Sequence, residues 1–413
     1  MRAPLISDSS DELFAGSTLE DPYPLYGRLL RDHPISRVGD TGVHFVASQA
    51  LIEEALQREV DFSAHLTGVL TRDADGRPGT FEFPDIGANH VIATADEPEH
   101  AVQRAIVQPR LTAARVAEME AIVRAWTVEA LTPWLAAGGG DFVPIAELIP
   151  ARVVAHLLGL PDRDAARHRA WAMIGGSMLA GSVSGPRLEE LVSATGQMAG
   201  YLGEHLDAAA RIDPADDSSS LLALLSRGVE RGEITREQAI GIAIVMFGAA
   251  GESTAALIGS TVHRLAREPG IAESLRAHSP LVPIFVEEVA RLEPPFNFHS
   301  RSVRRACELG GYELVPGDRL MLSWAAANRD PSRFDDPDAL RLDRRYPKQH
   351  LTFGRGSHFC IGAALARLEA RIVLEELLAR TKQISPSTSA GPGYAPSIFV
   401  RRLEHLPLSI HPA

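Results

Sequence analysis

HLTFGRGSHFCIG, residues 350–362, runs without a break into AALARLEARIVLEELLAR, residues 363–380. Ile361, Leu365, Leu368 and Ile372 share one helical face, so the spacing predicts a buried helix beginning just after Cys360. A sulfur at that point faces free backbone N–H groups and the positive end of the helix dipole, and both favour a thiolate over a thiol. Gly354, Gly356 and Gly362 remove side chains where the loop would press its backbone against something flat, and Arg355 and His358 add positive charge nearby. A cysteine in a glycine-rich turn is ordinarily a structural residue. The glycines, the aromatic Phe353 seven positions upstream and the immediate helix together point instead to a ligand.

The rest of the chain sets bounds on what that ligand serves. It has 413 residues, 45% of them hydrophobic and 23% charged, with a net charge of −12. This describes a soluble globular protein and argues against a disordered, collagen-like or disulfide-stapled one. The acid surplus argues against general nucleic-acid binding. The opening MRAPLISDSSDEL lacks a basic segment followed by an apolar core. No uncharged apolar run approaches the ~18–20 residues of a bilayer span, so no membrane association and a cytoplasmic location are expected. Cys307, the other cysteine, reads as a small buried hydrophobe.

Apolar residues at three- and four-residue spacing mark helices over 112–137, 187–210, 235–267 and 361–381. Strand signals are short: SRVGDTGVHFVAS, CELGGYELVPGDRLMLSW and FVRRLEHLPLSIHP. The expected fold is mainly α with small β-sheets, in a single domain over 1–413 with a flexible start over 1–20. Segment 62–92 has no sustained period and is long for a loop, which suggests a lid, with Phe81, Phe83 and Ile86 placed to bury something.

Residues 235–267 form the longest helix candidate, opened by a Thr235/Gln238 capping box and uncharged from Ala239 to Gly251. That stretch is too short for a membrane and apolar all round, so it should run through the protein's centre. Gly248 and Gly251 within it need a reason, such as a kink or a close ligand approach. So do Glu252, Ser253 and Thr254 on a greasy helix, although back-bonding to the helix would account for the two hydroxyls. Glu288 and Arg291, three apart, and His100 and Arg104, four apart, each read alone as solvated surface.

Taken together these residues resemble the cytochromes P450. Phe353, Gly356, Cys360 and Gly362 fill F-x-x-G-x-x-x-C-x-G, the family's haem-binding signature. The resemblance extends from about Asp21 to the C-terminus. It implies that Cys360 is the thiolate ligand of the iron of haem b, and that the haem lies between the central helix and the helix after the cysteine loop. Glu288 and Arg291 match E-x-x-R, which the family completes with a later arginine, here Arg344, although Leu340 stands where an aromatic is usual. His100, Arg104, Arg301 and His358 match the family's propionate contacts. The family's A-G-x-[DE]-T-[TS] fits in two registers. One pairs Glu252 with Ser253 and is preferred because it needs no gap to Glu288. The other makes Thr254 the alcohol.

The implied activity is insertion of one oxygen atom of O2 into a small molecule, with electrons from a separate ferredoxin or flavodoxin and the enzyme acting as a monomer. Arg355, Arg367 and Arg371 read equally as a docking patch for that partner or as a solvated helix face. Expected pocket residues are Phe81, Phe83 and Ile86 on the lid, Ile244, Val245 and Ala249 on the central helix, Phe296, Asn297, Phe298 and His299, and Ile398 and Phe399. Their chemistry favours a hydrophobic or aromatic substrate, with Asn297 and His299 as polar anchors. Peroxide-driven oxidation, radical coupling and a non-catalytic haem sensor are the alternatives.

Overall fold

The Thr235 hydroxyl accepts the Gln238 backbone N–H at 3.1 Å, and the Gln238 side chain accepts the Thr235 N–H at 2.8 Å. The capping box is therefore formed, and the central helix follows over Arg236–Arg267. A computed structural model describes residues 1–413 apart from 7–11, 73–75, 84–89, 183–184, 212–219 and 388–391. By composition the central helix is long and apolar enough to cross a membrane, more so than its uncharged stretch alone suggested. It lies inside the protein instead, packed by Val143–Leu158, Gly185–Ala209 and Ala363–Arg380.

Its glycines serve a purpose other than a kink. The helix continues unbroken through Gly248 and Gly251. A Cβ on Gly251 would collide with that of Ala172 and lie 3.5 Å from its Cα, while one on Gly248 would meet the Gly175 Cα at 3.9 Å. The small residues let helices Ala165–Ala172 and Ile174–Met178 lie directly against the central helix.

The other expected helices form as Ala113–Glu118 with Glu120–Ala136, Gly185–Ala209 and Ala363–Arg380. The main sheet has five strands in the order Ile35–Arg37, Val43–Val46, Arg319–Ser323, Phe298–Val303 and Phe62–Ser63. Arg319–Ser323 runs parallel to Val43–Val46 and antiparallel to Phe298–Val303, which places Leu320 opposite Arg301 and Leu322 opposite His299. A three-stranded sheet joins Thr381–Pro386, Pro407–Pro412 and Gly139–Asp141. Mainly α with small sheets describes what is observed.

Two expectations need correction. The described residues at the start of the chain are tied down rather than loose: Ala3 is buried, the Ile6 N–H donates to the Arg37 carbonyl at 3.0 Å, and Leu13 and Phe14 sit in the core. Segment 62–92 is not structureless. It contributes an edge strand, and Gly68–Arg72 pairs with Pro78–Glu82 as a hairpin. The Arg72 N–H and the Thr71 hydroxyl both donate to the Gly181 carbonyl, at 3.2 and 3.3 Å, which pins the hairpin over the helices flanking Gly181.

Candidate functional site

The cysteine loop is shaped by its backbone. Gly354 and Gly356 take φ of +68° and +77°, a region disfavoured for residues with a Cβ, so they are required by the turn itself. The Cys360 N–H donates to the Phe353 carbonyl at 2.8 Å, and Gly362 caps the helix Ala363–Arg380, on which Leu365 and Ile372 are buried as expected. Cys360 is open, but to an internal cavity whose wall it forms. Burial pushes its thiol up and outweighs the downward pull of the Gly362 and Ala363 N–H groups. The helix start alone does not make it a thiolate, whereas a bound metal would favour the deprotonated sulfur.

The brace behind this loop is fully buried, not the solvated bridge its sequence suggests in isolation. The Arg291 guanidinium grips Glu288 with two bonds of 2.8 and 3.0 Å, both side chains having no exposure. Arg344 adds a third bond at 2.8 Å, and the Arg341 N–H a fourth at 3.0 Å. Burial alone would raise the Glu288 pKa, but these cations hold it below the usual carboxylate range. Arg291 also donates to the carbonyls of Asn328, Pro337 and Ala339, locking the irregular stretch in place. Phe334 supplies an aromatic face to both Arg291 and Arg344, at 5.0 and 5.8 Å. Nothing in the sequence around Leu340 pointed to it.

His100, Arg104, Arg301 and His358 all line the cavity that holds Cys360. The rings of His100 and His358 stack at 4.0 Å, and His100 Nδ1 is paired with Glu97 at 2.8 Å. Burial and the nearby Arg301 hold His358 at about 3, leaving a neutral ring with one N–H to offer. Arg301 is buried, is drawn down to about 10 by that burial, and among the described residues donates only to the Ser300 carbonyl, at 2.8 Å. Among the described residues neither Arg301 nor Arg104 has a carboxylate partner within ion-pair distance. Buried cations need a counter-charge. Two guanidiniums and two imidazoles around one cavity, with a thiol in its wall, fit an iron porphyrin carrying two carboxylates.

Ser253 and Thr254 line the same cavity, whereas Glu252 turns away from it and is 1% exposed. Ser253 donates to the Ala249 carbonyl, the back-bond that a helical serine makes anyway. Glu252 accepts the Gly176 N–H at 2.8 Å and Arg402 Nε at 3.3 Å. Arg402 continues to Glu147 at 3.4 Å, and Glu147 to the partly exposed Arg169 at 2.8 Å. Burial pushes Glu252 up to about 7 against the opposing pull of Arg402 and the Gly176 N–H. It is an acid poised to hold or release a proton near neutrality.

A second cavity adjoins the first, and Ala93, Val245, Ala249, Phe296, His299 and Arg301 line both. Ile244, Phe298 and Phe399 line the second alone, together with Leu66 just before the hairpin and Val69 and Leu70 on it. Four expected pocket residues are elsewhere. Phe81 is 44% exposed on the outer hairpin strand and packs edge-on to Phe83, and neither lines a cavity. Ile398 is buried in the packing around Phe14, and Asn297 spends its side-chain amide on the Ile398 carbonyl at 3.0 Å. Ile86 lies outside the described residues. The sequence reading missed Trp171, Met178 and Met198, whose helices reach the second cavity only through the tertiary fold.

The three arginines of the expected docking patch are each paired. Arg355 pairs with Glu53, Arg367 with Glu287, and Arg371 with Glu120 and Glu375 at 2.7 and 2.8 Å.

A helical body around a buried apolar helix, with a cavity-facing thiol at the start of another helix, defines a haem-thiolate protein. The chain belongs to the cytochrome P450 family. The family described as Cytochrome P450 matches residues 204–388. Cytochrome P450 144 of Mycobacterium tuberculosis is 40% identical over 98% of this chain and 92% of its own length. Cytochrome P450 130 of the same organism is 30% identical over 89% of this chain and 90% of its own. CYP109E1 of Bacillus megaterium, solved in complex with testosterone, superposes with a TM-score of 0.82 at 27% identity, covering 97% of this chain and 99% of that one. The protein is accordingly a monooxygenase-type oxidoreductase that uses haem and O2.

Proposed function

We propose that this protein inserts one oxygen atom of O2 into a hydrophobic or aromatic small molecule, typically at a C–H bond. It takes electrons from a separate ferredoxin or flavodoxin and works as a cytoplasmic monomer. The observation that carries this reading is the meeting of the two cavities. One holds the thiol and the anion-gripping residues, the other is walled by apolar side chains, and their shared wall includes Ala249 and Val245, one and two helical turns before Ser253. Haem b, held by Cys360 and gripped at its carboxylates by His100, Arg104, Arg301 and His358, would supply the activation of dioxygen.

The chain's own share is positioning, proton handling and exclusion of water. Glu252, poised near neutrality and held by Arg402, is the acid that takes up and releases the proton, with Ser253 as its partner alcohol and Thr254 as the alternative. The walls of the second cavity, with Trp171, Met178 and Phe399, bind by apolar contact, and His299 is the polar group among the expected anchors that reaches it. The testosterone in complex with the Bacillus megaterium neighbour is an example of the hydrophobic ligand class proposed here. The deciding experiment is the carbon monoxide difference spectrum of the reduced holoprotein. The wild type should show the band of cysteinate-ligated haem, and Cys360→Ser should lose it. Retention of that band in Cys360→Ser would overturn the ligand assignment.

A further inference from the structure

Glu252 sits in a seat built by two other parts of the chain. One side is the Arg402 guanidinium, 3.3 Å from Oε1. The other is Gly176, whose N–H reaches Oε2 at 2.8 Å. Gly176 has no positive φ to explain its identity. What explains it is space, because a Cβ added there would fall 2.5 Å from Glu252 Cδ and closer still to an oxygen. The glycine is needed so that the carboxylate can approach the backbone closely enough to take its N–H.

We propose that Gly176 is a positioning residue for Glu252, holding the carboxylate by its N–H and by its missing side chain. Its place in proton delivery rests on the reading of Glu252 given above. The turn that carries Gly176 is also a wall of the second cavity, which Ile174, Gly175, Gly176 and Met178 all line. The packing of Gly175 against Gly248 brings that wall onto the central helix. The acid and the cavity meant for substrate are thus held by one short helix. Release of that helix from the central helix would unseat Glu252 and open the cavity together.

The test is Gly176→Ala, read in the holoprotein without substrate. The three atoms nearest the new methyl all belong to the far end of the Glu252 side chain, so the fold is expected to persist and the carboxylate to give way. The infrared carbonyl band of protonated Glu252 is first assigned by its loss in Glu252→Gln. In Gly176→Ala that band should move to higher frequency as the acid loses a donor. Adding Glu252→Asp, whose shorter side chain leaves room for the methyl, should recover the thermal midpoint lost in Gly176→Ala. An unmoved band in folded Gly176→Ala would overturn the proposal. If Gly176→Ala fails to fold, failure of Glu252→Asp to rescue it would overturn the proposal equally. The proton-delivery reading fails separately, if Glu252→Gln leaves the solvent isotope effect on consumption of reducing equivalents unchanged.

Discussion

Asn297 gives its amide to the Ile398 carbonyl, whereas His299, two residues on, accepts the Trp324 indole N–H at Nδ1, 2.7 Å away. An indole nitrogen only donates, so the His299 proton must be on Nε2. Burial holds this ring down at about 4, and it is neutral at working pH. Asn297→Ala should therefore cost about 1–3 kcal/mol by leaving a buried carbonyl unpaired, seen as a lower Tm with unchanged affinity for phenylimidazole. His299→Phe should change that affinity several-fold, and should also lower the Tm because it leaves the buried Trp324 indole N–H unpaired. A larger affinity change in Asn297→Ala would show that Asn297 reaches the ligand after all. For the two alcohols, Ser253→Ala is expected to lower product formed per reducing equivalent more than Thr254→Ala. The opposite order would transfer the proton-delivery role to Thr254.

At the scale of elements, the contact between the central helix and the two short helices over it rests on the absence of side chains. Gly251→Ala gains about 1 kcal/mol of helix propensity but forces a methyl into Ala172, an overpacking that costs about 1–3 kcal/mol. The expected result is a lower Tm that Ala172→Gly restores, and a raised Tm in Gly251→Ala would show that the helices part easily. The sequence announced that these glycines needed a reason and could not say which, because Ala172 and Gly175 lie more than 70 residues away along the chain. The same limit applies elsewhere. The cysteine loop, its helix and the Thr235 capping box were legible because their partners are local. The hairpin Gly68–Glu82 was not, since its strands GVLTR and PGTFE do not alternate apolar and polar residues. Asn297 was misread as a pocket residue because a side chain's direction near the start of a strand depends on what the neighbouring chain offers it. Phe334, standing in for the expected aromatic near Leu340, was invisible for the same reason.

The whole molecule's response to acid follows from groups whose folded and unfolded pKa values differ. Burial depresses His263 and His299 to about 4. A depressed imidazole contributes stability above its unfolded value of about 6.5, and that contribution is lost as the pH falls towards 4, up to about 3 kcal/mol for each. Glu287 is held at about 2: burial opposes this, but its bonds to His350 and Arg367 prevail. Its contribution is present above about 4.5 and is lost as the pH falls towards 2. Urea midpoints should therefore fall in two successive windows, with His263→Gln flattening the first. A constant midpoint between pH 6.5 and 4 would show that these imidazoles protonate freely in the folded chain.

The central helix also has a bearing on how the chain is made. It ends at Arg267, and one of its packing partners, Ala363–Arg380, begins about a hundred residues later. At the ~5–20 residues per second of a translating ribosome, that partner is absent for roughly 5–20 s. During that interval a segment apolar enough for a bilayer is already synthesised, and the nascent chain must shield it with the earlier helix Val143–Leu158 or have it shielded by a chaperone.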